Sequence, residues 1–293
     1  VQDTVLTWGG FDHTLGIRAL GVKLIRKNGA TLAFIPQISV HFSAKALLHG
    51  RLAPTSLEVI GGKAHIVRNE DGHFDIGLVD QGGSSSPDLV DLVVDDLART
   101  DDSGVSAYLT HVALTDAELT VVDRKSGAIW QVPRATVVLS REAGGVRADA
   151  SLNVRLGDRL ARLTAAGDYV LAQKAAHLHI TFVNLEPALF ADVAPVFAEL
   201  KAVRLPLSGT VGFAVAADGH VGNIDFNLTG GIGTLDLRPR VDMPPLDFHG
   251  LAASGHVADD FAGVTLDRLT FDLGDARGEA HGRIDLPSGG VGL

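Results

Sequence analysis

A chain of 293 residues with 46% hydrophobic side chains can bury a large core, as one long domain or two ordinary ones, and fits no disorder class. Its net charge of -10, with Lys and Arg spread singly, excludes nucleic acid as a partner, because phosphate binding needs a basic face. The absence of Cys excludes disulfides and thiolate metal sites and is compatible with an oxidising compartment, while 34 Gly and aromatics at 5% predict many turns around small aliphatic side chains.

The chain contains no apolar run of about 18 residues, so it carries no transmembrane pattern. Starting at Val1 without Met and reaching Ser288-Gly289-Gly290 straight after a strand pattern, it is expected to be an excerpt of a longer protein whose anchor lies outside it. Leu15, Ile17 and Ala19 alternate, and past Gly21 the alternation is read as continuing through Val22 and Leu24 to an Asn28-Gly29 hairpin signal. The return limb, 32–42, carries Pro36, which removes a ladder donor and predicts an edge, a bulge or a break. Residues 44–48 suit one helical turn before Gly50. Leu57, Val59, Ala64 and Ile66 then resume strand alternation across Gly61-Gly62, with Asp71-Gly72 as the next hairpin signal. These strands predict a β-meander module over 1–80.

A second module, 81–202, opens with a helix signal: Ser86 as N-cap, Pro87 at the first helical position, and a stripe of Leu89, Val93 and Leu97. Strands follow at 112–122 and 129–139 with turns at Ser126-Gly127 and Gly144-Gly145. The stretch 146–156 alternates without a slip, Val146, Ala148, Ala150, Leu152, Val154 and Leu156 against Arg147, Asp149, Ser151, Asn153 and Arg155. Eleven residues extend roughly 36 Å at ~3.3 Å each, about twice an ordinary strand. Ala176, Leu178, Ile180 and Phe182 alternate in the same way. A second helix is expected over 186–200, with Pro187 tolerated near its start, Pro195 kinking its interior, and Leu189, Val193, Phe197 and Leu200 on one face. Its apolar face suits the edge or mouth of a groove.

The third module, 203–293, is all strand pattern: Val211, Phe213 and Val215; Ile224, Phe226 and Leu228; Leu269, Phe271 and Leu273. Val264 and Leu266 sit in the opposite phase to Leu269, which predicts a bulge near Asp267-Arg268. The fold class is therefore mainly β: one long, curved and twisted antiparallel sheet forming an elongated groove, with two short helical segments too small to cover its dry face.

The sequence offers little chemistry. There is no phosphate-loop, zinc-protease, nucleophile-elbow or calcium-loop motif, and no catalytic residue or cofactor is assigned. Gly230-Gly231-Ile232-Gly233 lacks a following helix pattern and reads as a bend between strands. His177 and His179 share a wet strand face, half of a metal site at most. Asp95-Asp96, Asp101-Asp102 and Asp259-Asp260 sit beside turns, where acids normally solvate.

Several runs do carry a resemblance: Leu6-Thr7-Trp8-Gly9-Gly10, Gly29-Ala30-Thr31-Leu32-Ala33-Phe34-Ile35-Pro36, Ala46-Leu47-Leu48-His49-Gly50-Arg51-Leu52-Ala53-Pro54, Leu57-Glu58-Val59-Ile60-Gly61-Gly62 and Ile66-Val67-Arg68-Asn69-Glu70-Asp71-Gly72. With Leu185-Glu186-Pro187-Ala188 and Leu205-Pro206-Leu207-Ser208-Gly209, they resemble AsmA-like proteins of the YhdP branch in their N-terminal portion, over nearly the whole chain. Gly62 departs from that pattern, where such proteins often carry Pro. The resemblance implies a Gram-negative envelope protein, anchored in the inner membrane through a segment outside this chain, whose repeating β-groove conducts phospholipid tails across the periplasm. It brings no catalytic residues.

On both grounds the expected function is a segment of a periplasmic lipid-transfer conduit between inner and outer membranes, with phospholipid acyl chains and membranes as partners and Ala148, Ala150, Leu152, Val154, Leu156, Leu178, Ile180, Phe182, Phe213, Ile224, Phe226, Leu228, Leu269, Phe271 and Leu273 lining the groove. The alternative is an envelope scaffold with a dry, packed core. An enzyme is disfavoured by the missing nucleophile and metal patterns.

Overall fold

A computed structural model of the chain describes residues 3–8, 15–25, 31–70, 74–78, 108–216, 220–236, 238, 242–259 and 263–285. The first strands are β1 (Asp3–Trp8), β2 (Leu15–Ile25), β3 (Thr31–Phe42), β4 (Pro54–Ile60), β5 (Lys63–Arg68) and β6 (Phe74–Leu78), with helix α1 (Ala44–Leu48) between β3 and β4. Long strands follow: β7 (His111–Asp123), β8 (Ala128–Glu142), β9 (Gly145–Leu156), β10 (Arg159–Val170) and β11 (Ala175–Leu185). The remainder are β12 (Val203–Arg204), β13 (Leu207–Ala216), β14 (Ile224–Gly230), β15 (Gly233–Leu235), β16 (Leu246–Phe248), β17 (Gly250–Val257), β18 (Gly263–Asp272) and β19 (Arg277–Asp285).

The protein is mainly β, as its alternation predicts. Sixteen strands form one sheet, in the order β1-β2-β3-β4-β7-β8-β9-β10-β11-β13-β14-β17-β18-β19, with the β5–β6 hairpin attached through β5 to β7. The sheet is not closed into a barrel. Strands β12, β15 and β16 make a separate small sheet. The antiparallel expectation fails beside β7: β4 runs parallel to it, Leu57 opposite Val112 and Val59 opposite Leu114. Parallel neighbours need a long crossover, and here the chain between residues 60 and 111 supplies it. The helix expected at 87–97 and the turns at Asn28-Gly29 and Asp71-Gly72 lie outside the described residues. Among those described, no helix is long and apolar enough to cross a membrane.

The chain divides into two compact units, Val1–Val122 with Gln131–Leu152 and Asp168–Gln173, and Asp123–Trp130 with Asn153–Gly167 and Lys174–Leu293. In the first, register aligns apolar residues in rows: Ile17, Val40, Leu57 and Val112 form one, Ala19, Ile38, Val59 and Leu114 the next. Leu109 and Val146 are buried beside these rows, packed by Leu57, Val112, Leu139 and Tyr169. The register of β2 on β3 is unbroken from Leu20 opposite Gln37 to Val22 opposite Ile35, so the apolar residues change from odd to even positions at Gly21 rather than continuing in phase. Gly21 has φ 59°, a conformation that side chains other than Gly resist. Pro36 is accommodated where the β3–β4 ladder stops, at Gln37 opposite Ile60, with Gly61 close against its ring. Its missing N–H thus costs no ladder bond to β4 beyond that point.

In the second unit the β7–β8 turn is built by Asp123, whose carboxylate accepts from Lys125 N at 3.0 Å and Ser126 Oγ at 2.8 Å. The helix expected at 186–200 is instead broken into two 3₁₀ segments, Pro187–Phe190 and Pro195–Ala202. Pro195 lacks the N–H that would bond back one turn, and it holds Ala194 extended at φ -157° and ψ 153°. The chain therefore stops and restarts rather than kinks. The bulge foreseen near Asp267-Arg268 is present: Ser254 pairs with Arg268 and Gly255 with Leu266, leaving Asp267 as the extra residue.

Close strand approach makes Gly255 sensitive, since a Cβ there would run into the Thr265 carbonyl, whereas a Cβ on Gly250 of the same strand meets nothing within 4 Å. Gly255→Ala is expected to lower the unfolding free energy by about 1–3 kcal/mol. Gly250→Ala is expected to change it by less than about 0.5 kcal/mol, both read from urea titration.

Candidate functional site

The residues that alternation singles out come together on the second unit's sheet face. Ile180, Val211, Phe226, Gly255, Leu266 and Gly282 form one cross-strand row through β11, β13, β14, β17, β18 and β19. Phe182, Gly209, Leu228, Ala253, Leu269 and Ala280 form the next. A third row runs Leu185, Leu207, Gly230, Leu251, Phe271 and Gly278. Leu178 stands opposite Phe213, and Ile224 opposite Val257.

Every large side chain in these rows is half-buried and none is fully buried. A closed core would show the opposite, since fully enclosed aliphatic side chains are the norm there. The reverse face is polar: Thr181, Thr210, Asn227, Ser254 and Arg268 form the matching row between the first two. Large residues alternate with small ones along the second row, and small residues interrupt the other two. Phe226 lies between Val211 and Gly255, Leu228 between Gly209 and Ala253, and the Phe271 ring rests on Gly278, where a Cβ would collide with it. These rows give an aliphatic wall in which small residues interrupt the large ones.

The remaining predicted lining residues fare differently. In β9 Ala148, Ala150 and Leu152 are half-buried, but Val154 at 5% and Leu156 at 0% exposure are enclosed by protein. Leu273 falls past the end of β18, in a turn where its N–H donates to Ala276 O at 2.8 Å. The predicted lining omits Val211 and Leu266, and Ile17 and Ala19 of the first unit, although their strand alternation is visible in the sequence, and it omits Leu251 and Ala253, which show none. In β17 the run Gly250-Leu-Ala-Ala-Ser-Gly-His-Val is too rich in small residues to alternate visibly.

One end of the apolar face in the second unit is closed by its own chain. Leu205, 3% exposed, lies over Gly230 and beside Leu251 and Leu207, and Gly233 packs directly on its backbone. Strands β12, β15 and β16 hold this corner. The two 3₁₀ segments are fixed by an aromatic trio, with ring centroids at 5.7 Å from Trp130 to Phe190, 5.7 Å from Trp130 to Phe197 and 6.4 Å from Phe190 to Phe197. Phe190 was not part of the predicted apolar stripe; breaking the helix is what brings it round. Arg159 pairs with Glu186 at 3.1 Å at the entry to the first segment.

Beyond β15, Asp236 donates its N–H to Ala202 O at 2.9 Å and its carboxylate accepts from Arg238 Nε at 2.9 Å, Nη2 at 2.8 Å and backbone N–H at 3.1 Å. The Arg238 side chain, then its backbone N–H, hold the Asp236 carboxyl down to about 2. His177 and His179 stand opposite Ala214 and Gly212, and among the described residues no group of three His, Asp or Glu is placed to hold a metal ion. The Gly230 to Gly233 run leads into the three-residue strand β15, as a bend should. Compared with known proteins, the chain matches no family model, no curated protein and no solved structure.

In a Trp8→Phe background, which leaves Trp130 as the only Trp, Phe197→Ala is expected to red-shift the fluorescence and to cost about 1–3 kcal/mol of stability. The Asp236 clasp sets a pH signature. A carboxyl held below its unfolded value stabilises the fold above the ordinary carboxylate range and loses that contribution as pH falls from about 4 toward about 2. Arg238→Ala should return the Asp236 titration, followed by NMR, to the ordinary range.

Proposed function

We propose that the chain is a segment of a lipid-transfer conduit, in which phospholipid acyl chains travel along the half-buried apolar rows of the sheet. The observation that carries this reading is the run of large, incompletely covered apolar side chains through six paired strands, backed by a polar reverse face. At about 4.8 Å between strands, six strands offer roughly 24 Å of wall. One acyl tail needs about half of a ~30 Å hydrocarbon core. Each CH₂ costs about 0.8 kcal/mol in water, and an aliphatic wall removes most of that cost. Small residues set among the large ones present a broad aliphatic surface to any tail, which favours sliding over capture.

The AsmA-like resemblance supplies the setting of this proposal: the Gram-negative periplasm, an inner-membrane anchor outside the chain, and transfer toward the outer membrane, with no catalytic step. A scaffold with a dry core is the rival reading. It requires the same apolar phase to be packed away, and the incomplete burial of Phe226, Leu228 and Phe271 favours the open wall.

Phe226→Asp places a carboxyl against the path, where it protonates or draws in water and interrupts the apolar surface. The expected result is at least a tenfold loss of lipid retained through detergent-free purification, with cooperative thermal unfolding preserved. Asn227→Asp, one residue away on the exposed polar face, should leave both unchanged, within about 0.5 kcal/mol for stability. Photo-crosslinkers at the two positions should give lipid adducts from 226 only. Equal adducts from both faces, or lipid lost only in step with unfolding, would count against the conduit.

A further inference from the structure

Between β3 and β4 the chain leaves the sheet for α1 and a reversal at His49-Gly50. Ala44 at 6%, Ala46 at 4% and Ala53 at 1% exposure bury the inner side of this excursion. Its ends are tied: Ser43 N donates to Ala53 O at 2.9 Å, and Ser43 Oγ accepts from Ala46 N at 3.2 Å. The outer side presents Leu48 at 66% and Leu52 at 67% exposure, which no burial within the chain accounts for. Beside them Lys45, Ala46, His49, Arg51 and Tyr108 line a recess of about 500 Å³.

The recess is chemically one-sided. No carboxylate is among its described lining residues, and neither Lys45 nor Arg51 is in an ion pair among the described residues. Carbonyls near the end of α1, which would repel an anion, are engaged: Ala46 O accepts from His49 N and Arg51 N, and Leu47 O from Gly50 N. Lys45 O accepts from His49 Nδ1 at 2.8 Å, which also fixes the imidazole. Two cationic residues, Lys45 and Arg51, therefore line one cavity with His49 and Tyr108, in a chain whose net charge is -10. Ammonium and guanidinium groups placed together suit a phosphate ester, and exposed leucines flanking them suit the boundary between head groups and acyl chains.

We propose that this recess binds the phosphate of a phospholipid head group at a bilayer surface, with Leu48 and Leu52 entering the acyl boundary beside it. The inference rests on the lipid-handling proposal only for the source of the phosphate. Because screening limits the repulsion from the acidic remainder of the chain to about 8 Å at physiological salt, the local cations decide the contact.

The test is co-sedimentation of the 293-residue chain with vesicles of phosphatidylcholine alone or mixed with phosphatidylglycerol. Binding should increase with phosphatidylglycerol. The Lys45→Glu/Arg51→Glu double variant should lose that increase at least tenfold, Lys45→Gln should lose part of it, and both should melt as the parent does. Leu48→Ser/Leu52→Ser should weaken vesicle binding while leaving untouched the NMR shifts that soluble glycerol phosphate induces at Ala46 and His49. Vesicle binding indifferent to the charge reversals overturns the proposal, as does glycerol phosphate binding without any vesicle binding, which assigns the recess to a soluble ester. Phe226→Asp should leave vesicle binding intact, so loss of tail occupancy with docking preserved speaks to the conduit alone.

Discussion

Strand pairing gives side chains only two directions in which to point, and register decides which neighbours they meet. In the second unit the register puts the large apolar residues of β13, β14, β17 and β18, with Leu178, Ile180 and Phe182 of β11, on one face, and a slip of one residue in β13 would put Val211 opposite Asp225 or Asn227 instead of Phe226. The Asp267 bulge is part of the same constraint. It lets Val264 and Leu266, at even positions, share a face with Leu269 and Phe271, at odd ones. Glycine enters for close approach: at Gly209 and Gly255 a side chain would run into the neighbouring strand's backbone.

This arrangement places an unusual share of the stabilisation in the ladders themselves. Among the described residues Leu156 is the only large side chain below 2% exposure, so deep burial of bulky groups contributes little. Half-burial across many rows, together with hydrogen-bonded strands up to 15 residues long, does the work that a compact core does elsewhere. The closed corner around Leu205, Gly230 and Gly233 is an exception, and so is the aromatic trio on Trp130. Both belong to the segments that interrupt the strand pattern, where backbone groups have no ladder and packing must hold the chain.

The strands that alternate cleanly were legible in the sequence: β9 is found one residue from its expected start, and β14 shows the alternating burial that Ile224, Phe226 and Leu228 imply. Strand β10 was not recognised, because Leu160, 59% exposed, sits on its wet face and Ala161, Ala165 and Ala166 have little strand preference. The parallel β4–β7 pairing could not be read at all, since periodicity describes one strand at a time and says nothing of which strand lies beside it. Pro195 in the expected helix 186–200 predicts a kink, yet a proline at the tenth position of so short a segment is enough to end it. Lys45, Arg51 and Tyr108 carried no motif, and their convergence depends on bringing residue 108 back to the β3–β4 excursion across 56 intervening positions.

The polar surface follows the same two-direction rule. Positions i and i+2 of a strand share a face, and Arg147 with Asp149 at 2.9 Å and Arg283 with Asp285 at 2.7 Å use that spacing to pair within one strand. Arg268 with Glu279 at 3.0 Å pairs across β18 and β19. All of these groups are about half exposed or more, so each pair adds little to stability. Their consequence is electrostatic: at these pairs the arginine charge is neutralised where it stands. A phosphate approaching these pairs meets no free cation. Lys45 and Arg51 lie on an excursion outside the ladder where no i+2 acid follows either of them, and among the described residues neither is in an ion pair, which is the charge pattern the proposed phosphate contact uses.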